Sequence, residues 1–222
     1  MILPPFVQVF LKDLNSELRS RYSFNSLIMF VLVTISILLF SIGQEKVTKN
    51  VIGGLFWVAV FFPAMSGLAR VFVSEEEKGT VLLLQITARS TAVLWGKMLF
   101  NLALSFVINT AVVLLFFFFF PQFSFENGWL FIVAFVGGNI GISSASTLVA
   151  AIISKANSKA TLYPVLSFPI LLPLILIVIE LTQKSMSGAL FVESYAEIGT
   201  LLSYCVVMTT AAVLLFDFVW KD

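Results

Sequence analysis

Apolar positions in this chain fall in long unbroken runs, with polar residues gathered between them. The runs cover residues 24–43, 51–73, 91–120, 128–154, 162–180 and 199–220. A helix rising ~1.5 Å per residue needs about 20 mostly apolar residues to cross a hydrocarbon layer about 30 Å thick. Each run meets or approaches that length. The strands of a closed barrel would alternate with period two, so these continuous runs disfavour a β-barrel. The first run starts too far along, and is too long, to resemble a cleavable signal peptide. The expected fold is therefore all-α, with six transmembrane helices in a single membrane domain over residues 1–222. Short connections leave no room for a separate soluble catalytic domain, and no internal repeat is visible.

A different pattern precedes the first run. Phe6, Phe10, Leu14, Leu18 and Tyr22 recur every four residues, with Val7 and Leu11 beside them. Gln8, Lys12, Asp13, Asn15, Ser16, Glu17, Arg19 and Arg21 take the other side. Residues 5–22 thus predict an amphipathic interfacial helix lying in the plane of the lipid bilayer. Two roles fit it: an anchor that orients the first span, or an elbow packed on a neighbouring subunit.

Composition agrees with lipid as the solvent. The 222 residues are 59% hydrophobic and 11% charged, with mean hydropathy +1.05, against about 45–50% and about 25% in soluble domains. Thirteen Lys and Arg against twelve Asp and Glu give a net charge of +1, so no basic excess exists for nucleic acid. Histidine is absent and Cys205 is the lone cysteine. This excludes an internal disulfide framework, a cysteine zinc cluster, histidine acid–base chemistry and histidine ligation of haem iron. No metal site and no bound cofactor are expected in this chain.

Charge placement sets direction. Of the 13 cations, Lys46, Lys49 and Lys184 fall on one side of the six spans. Lys12, Arg19, Arg21, Arg70, Lys78, Arg89, Lys97, Lys155, Lys159 and Lys221 fall on the other. The positive-inside rule then puts both termini in the cytoplasm.

The second connection, residues 74–90, carries the most chemistry. Ser74 and Glu77 form a capping box, and Glu75, Glu76 and Glu77 suit the positive end of a helix dipole. Lys78 follows. Gly79 loosens that helix, and Thr80 opens an apolar stretch closed by Arg89. Three acids, a glycine and an apolar patch on one short cytoplasmic segment suit docking into a groove on a soluble partner.

Within the spans, Asn101, Ser105 and Asn109 form a polar line at i, i+4 and i+8. Unpaired amides in hydrocarbon cost several kcal/mol, so this line must meet another helix or a water-filled path. Gly137, Gly141 and Ala145 make a flat helix face for close packing. Pro164, Pro169 and Pro173 each remove a backbone donor and predict kinks in the fifth span. The run 116–120, all phenylalanine, reads as lipid-facing or core. Asp217 either reaches the interface or pairs with Lys221.

No phosphate-binding loop occurs: Gly96-Lys97 is followed by Met98 and lacks the upstream glycine. Any ATP hydrolysis then belongs to another polypeptide, and the chain is not itself an enzyme. Acids arranged as a proton relay are absent from the span centres, which disfavours a proton-coupled carrier.

Glu-x-x-Gly-Thr followed by leucines, then Gly96-Lys97 in the next span, resembles the coupling segment of ABC-2-type export permeases. Ala88 stands where many members carry proline. The stretch Gly137-Gly138-Asn139-Ile140-Gly141-Ile142-Ser143-Ser144-Ala145-Ser146-Thr147-Leu148, with the three-proline fifth span, narrows the likeness. It resembles the CcmB family, whose members are membrane permeases of the haem exporter in cytochrome c maturation. That resemblance implies an inner-membrane permease working with an ATP-binding cassette subunit, other membrane haem-handling subunits and a periplasmic haem chaperone. It also implies a paired membrane half, hence a homodimer, with haem as substrate of the complex and ATP bound by the partner. Other readings are an ABC-2 exporter subunit for a drug, lipid or polysaccharide, and a non-transporting scaffold for haem-handling proteins.

Overall fold

The computed structural model describes residues 3–20, 22–43, 47–68, 72, 75, 79–154 and 159–221. Ser74, Glu76, Glu77 and Lys78, and with them the expected capping box, lie outside the described residues. So do Arg21, Lys46, Arg70 and Lys155. Among the described residues the chain is all-α, without strands.

The helices are α1 (Pro5–Ser20), α2 (Tyr22–Ile42), α3 (Lys49–Gly67), α4 (Val81–Thr87), α5 (Ser90–Phe119), α6 (Gly128–Ser154), α7 (Lys159–Met186) and α8 (Tyr195–Lys221). Six of them, all but α1 and α4, are long and apolar enough to cross a membrane. A tight 3-10 turn, Phe191–Ser194, leads into α8. Gly43 takes a left-handed φ of +56° as α2 ends, and its N–H bonds the Leu39 carbonyl. Most residues reach that conformation only at a steric cost that glycine avoids.

Burial separates the bundle's centre from its lipid face. The α6 span is 67% buried inside the chain, whereas the α2 span is only 17% buried. The centre is α6, which packs most extensively on α7 and α8. Small residues permit this. A Cβ on Gly137 would stand 2.5 Å from Leu201 of α8, and one on Gly141 would stand 2.7 Å from Leu174 of α7. Ala145 is fully buried on the same side. A third glycine, Gly138, faces α3, where a Cβ would lie 2.5 Å from the Trp57 ring. The phenylalanine run divides: Phe116 and Phe120 enter the core beside Phe56 and Phe123, while Phe117, Phe118 and Phe119 are exposed.

Two boundaries differ most from the hydropathy reading. The third helix to be expected from the pattern, α3, ends at Gly67, short of residue 73. At the other edge α7 continues to Met186, six residues past the apolar run. Hydropathy detects the end of the hydrocarbon layer, not the end of the helix. Polar Thr182 and Ser185 are buried here, and the Trp57 indole donates to the Thr182 hydroxyl at 2.8 Å. Helix α7 runs unbroken past Pro164, Pro169 and Pro173. Close to Pro173, the Tyr204 hydroxyl of α8 donates to the Ile170 carbonyl at 2.9 Å.

The end of the bundle away from the termini is laced by polar contacts. Lys49 pairs with Glu126 at 2.8 Å, Lys184 pairs with Glu197 at 2.6 Å, and the Ser185 hydroxyl donates to the Asn127 carbonyl at 2.7 Å. Both cations described at that end are therefore matched by carboxylates of the same end.

Candidate functional site

The site is built at the end that carries both termini, where α1, residue 75, α4, the start of α5 and the end of α8 converge. Its deepest charge is Lys97. It sits on the eighth residue of α5, a helix of 30 residues and so about 45 Å long, which overhangs a hydrocarbon core of about 30 Å. Lys97 is only 1% exposed. Its ammonium lies 2.8 Å from Glu75 Oε1 and 3.1 Å from Asp13 Oδ2, and 5.6 Å from the centre of the Phe72 ring.

Removing such a charge from water costs several kcal/mol unless it is matched. Here matching is complete in number: Lys12 and Lys97 face Asp13 and Glu75. Lys12 donates to Glu75 Oε1, and the Thr80 hydroxyl donates to Glu75 Oε2. Burial by itself would raise the Glu75 carboxyl. The Lys97 charge and the hydrogen bonds from Lys12, Lys97 and Thr80 outweigh it and hold the pKa at about 2. Burial likewise opposes the Lys12 charge, yet its bond to Glu75 and the nearby carboxylates leave its pKa raised.

A carboxyl depressed in the folded chain contributes stability above its ordinary pKa of 4.5, and that stability is lost as pH falls toward about 2. Thermal stability in detergent should therefore differ between wild type and Glu75→Gln by a constant amount from neutral pH down to about 5. The difference should shrink below about 4.5. Among the described residues, Lys12, Lys97 and Thr80 contact Glu75, and Asp13 shares both lysines with it.

These placements revise two sequence assignments. The amphipathic pattern puts Asp13 with the solvent-facing residues of the helix, but it is buried against α5. The reason is angular: Asp13 lies one turn from Val9, and Val9 meets α5 where Gly96 has no side chain. A Cβ on Gly96 would stand 2.7 Å from Val9 Cβ and 2.8 Å from the Phe6 carbonyl oxygen. Glu75 was grouped with the docking acids, but it turns inward and engages both carboxylate oxygens within the chain.

Past Glu75 the backbone turns through Gly79, whose φ is +66°. Helix α4 follows. Leu84 is its buried side, and the Gln85 amide donates to the Trp220 carbonyl of α8 at 2.6 Å. Ser90 donates to Asp217, and behind it Phe216 and Trp220 stack with their rings 5.4 Å apart, with Phe72 packed against both. Asp217 thus bonds Ser90 at the foot of α5. The outward side of α4 is apolar: Leu82 is 71% exposed, Leu83 65% and Ile86 85%. Thr80 is half-buried, and Gly79 and Arg89 are exposed at the two ends.

The polar line in α5 faces α6. Asn101 donates to Thr147 at 2.9 Å, and Ser105 and Asn109 both donate to Asn139 Oδ1, at 2.7 and 2.8 Å. The partner residue Asn139 escaped the sequence reading, although one amide set among glycines in an apolar run was a usable signal. All of these side chains are buried. The seam joins two helices. Among the described residues, no three acidic or cysteine side chains gather as metal ligands would.

The comparison with known families decides the class. A family described as CcmB protein matches residues 5–219. The chain belongs to the CcmB family. Membership makes it a membrane subunit of the haem exporter in cytochrome c maturation, a multi-pass permease and not a catalytic subunit. No curated protein matches the chain. The matched region takes in α1, α4, α5 and all of α8 but its last two residues, Trp220 and Lys221.

Proposed function

We propose that this CcmB-family permease takes mechanical work from an ATP-binding cassette subunit docked on α4, and that this work drives haem handling on the opposite face. The observation that carries the reading is the outward face of Leu82, Leu83 and Ile86, held on a short helix that its own chain grips from behind. Fully burying one such side chain is worth about 1.5–3 kcal/mol, so a partner groove gains by covering all three. The acids at 75–77 were expected to enter that groove. With Glu75 turned inward, the reading now rests on the apolar face, with Gly79, Thr80 and Arg89 at its margins.

Orientation follows from charge. The termini end is the cytoplasmic side, and the two cations described at the other end are matched by carboxylates. The reading includes a second copy of the chain, further membrane subunits that handle haem, and a periplasmic haem chaperone. Haem enters as substrate of the complex. Without histidine, haem held by this chain would need Met, Tyr, Cys or purely apolar contacts, and the reading assigns iron ligation to the partners.

Two measurements test this. ATP turnover by the reconstituted ATP-binding subunit should depend on this chain, and turnover that ignores the chain would favour a scaffold instead. Haem titrated into the purified chain should give no stoichiometric axial-ligand spectrum; such a spectrum from this chain alone would contradict the division of labour.

A further inference from the structure

We propose that Lys97 is a positioning residue that locks α1 to the segment preceding α4, making α1 a moving part of the coupling machinery and not a lipid anchor. The inference deepens the docking reading above and rests on it. Three segments distant in sequence meet on one ammonium. Asp13 comes from α1 and Glu75 from the approach to α4, while Lys97 itself stands on α5. Lys12 adds a second link from α1 to Glu75. Beside the ammonium, Gly96 lets the α1 backbone rest directly on α5. Thr80, the residue before α4, closes the chain of contacts through its hydroxyl on Glu75.

The arrangement is specific in a way that anchoring does not require. An interfacial anchor needs an apolar side toward lipid and a polar side toward water. Here one turn of α1 instead presents a buried carboxylate to a buried ammonium, which also holds the coupling segment. A buried ion set is a weak source of net stability compared with well-packed apolar residues. What it supplies is a fixed register between the parts it joins. Displacement of α4 by a docked partner is then passed through Thr80 and Glu75 to the foot of α5 and to α1.

The experiment uses the full chain co-expressed with the ATP-binding subunit, in a Cys205→Ala background carrying Val9→Cys as reporter. Val9 is buried on the face of α1 that meets Gly96 of α5, so alkylation of the reporter measures detachment of that helix. In Lys97→Met, reporter alkylation should rise and chain-dependent ATP turnover should fall, each about tenfold, the scale of a coupling free energy between sites. Co-purification of the ATP-binding subunit should persist. The double variant Asp13→Leu with Lys97→Met removes one charge of each sign, so α1 should stay seated and the reporter protected. Turnover should nevertheless stay low, because the link from α1 through Lys97 to Glu75 is gone. Recovery of turnover in the double variant, or full turnover in Lys97→Met, would overturn the proposal and leave the cluster a structural one. If the unaltered chain neither binds nor stimulates the ATP-binding subunit, the docking reading fails. Reporter protection in Lys97→Met then independently overturns the lock, and exposure upholds it.

Discussion

Gly138→Leu is expected to leave the bundle unassembled. The new side chain would start 2.5 Å from Trp57 Cη2 and 3.4 Å from Val178, and Trp57 has nowhere to retreat. Its indole is tied to Thr182 at 2.8 Å, and its ring meets Phe56 edge-on at 5.3 Å between centres. Overpacking a closed core costs about 1–3 kcal/mol and occasionally more. The upper end applies here because a glycine, a tryptophan and a third helix meet at one point. Gly199→Ala is the matched control. No atom lies within 4 Å of a Cβ at that position, so the helix should gain up to about 1 kcal/mol from the better helix former. Monodispersity and melting temperature in detergent, measured for both variants, check the pair. Equal behaviour would mean that α6 does not pack on α3 as described.

Leu83→Asp with Ile86→Asp should abolish binding of the ATP-binding subunit while leaving the membrane fold intact. Both side chains point away from the chain, so the fold gives up little when they become polar. The partner groove would have to desolvate two carboxylates in place of two aliphatic side chains. Each aliphatic group contributes about 1.5–3 kcal/mol when fully buried, and about 1.4 kcal/mol is tenfold in affinity. A loss of at least about a hundredfold is expected, read as failed co-purification with an unchanged melting temperature. Retained binding would move the docking face off α4.

The spans were legible because lipid tolerates only continuous apolar helices, and each run declares itself over many residues. Asn101, Ser105 and Asn109 were legible as a line for the same reason: amides in hydrocarbon stand out. What escaped were contacts decided by a single residue's angle. Asp13 lies between apolar Phe10 and Leu14 positions and polar Lys12. Periodicity assigns it to water because it cannot distinguish a face turned to lipid from a face turned to protein. Glu75 sits in a run of three acids that sequence treats as equivalent, and its inward turn is set by Lys97, a partner far along the chain. Lys97 itself looked like part of a Gly-Lys signature. Its meaning depends on partners 84 and 22 positions away, which no local pattern encodes. Gly138 falls outside the regular spacing of Gly137 and Gly141, which defines one face of the helix, whereas Trp57 lies on another.

The most direct test places a photoactivatable amino acid at Ile86 and irradiates living cells that express the whole exporter. The account predicts a crosslink from this chain to a nucleotide-binding subunit on the cytoplasmic side, lost when Leu83 is replaced by aspartate. A crosslink confined to proteins on the periplasmic side would contradict it, as would a chain that reaches no nucleotide-binding protein.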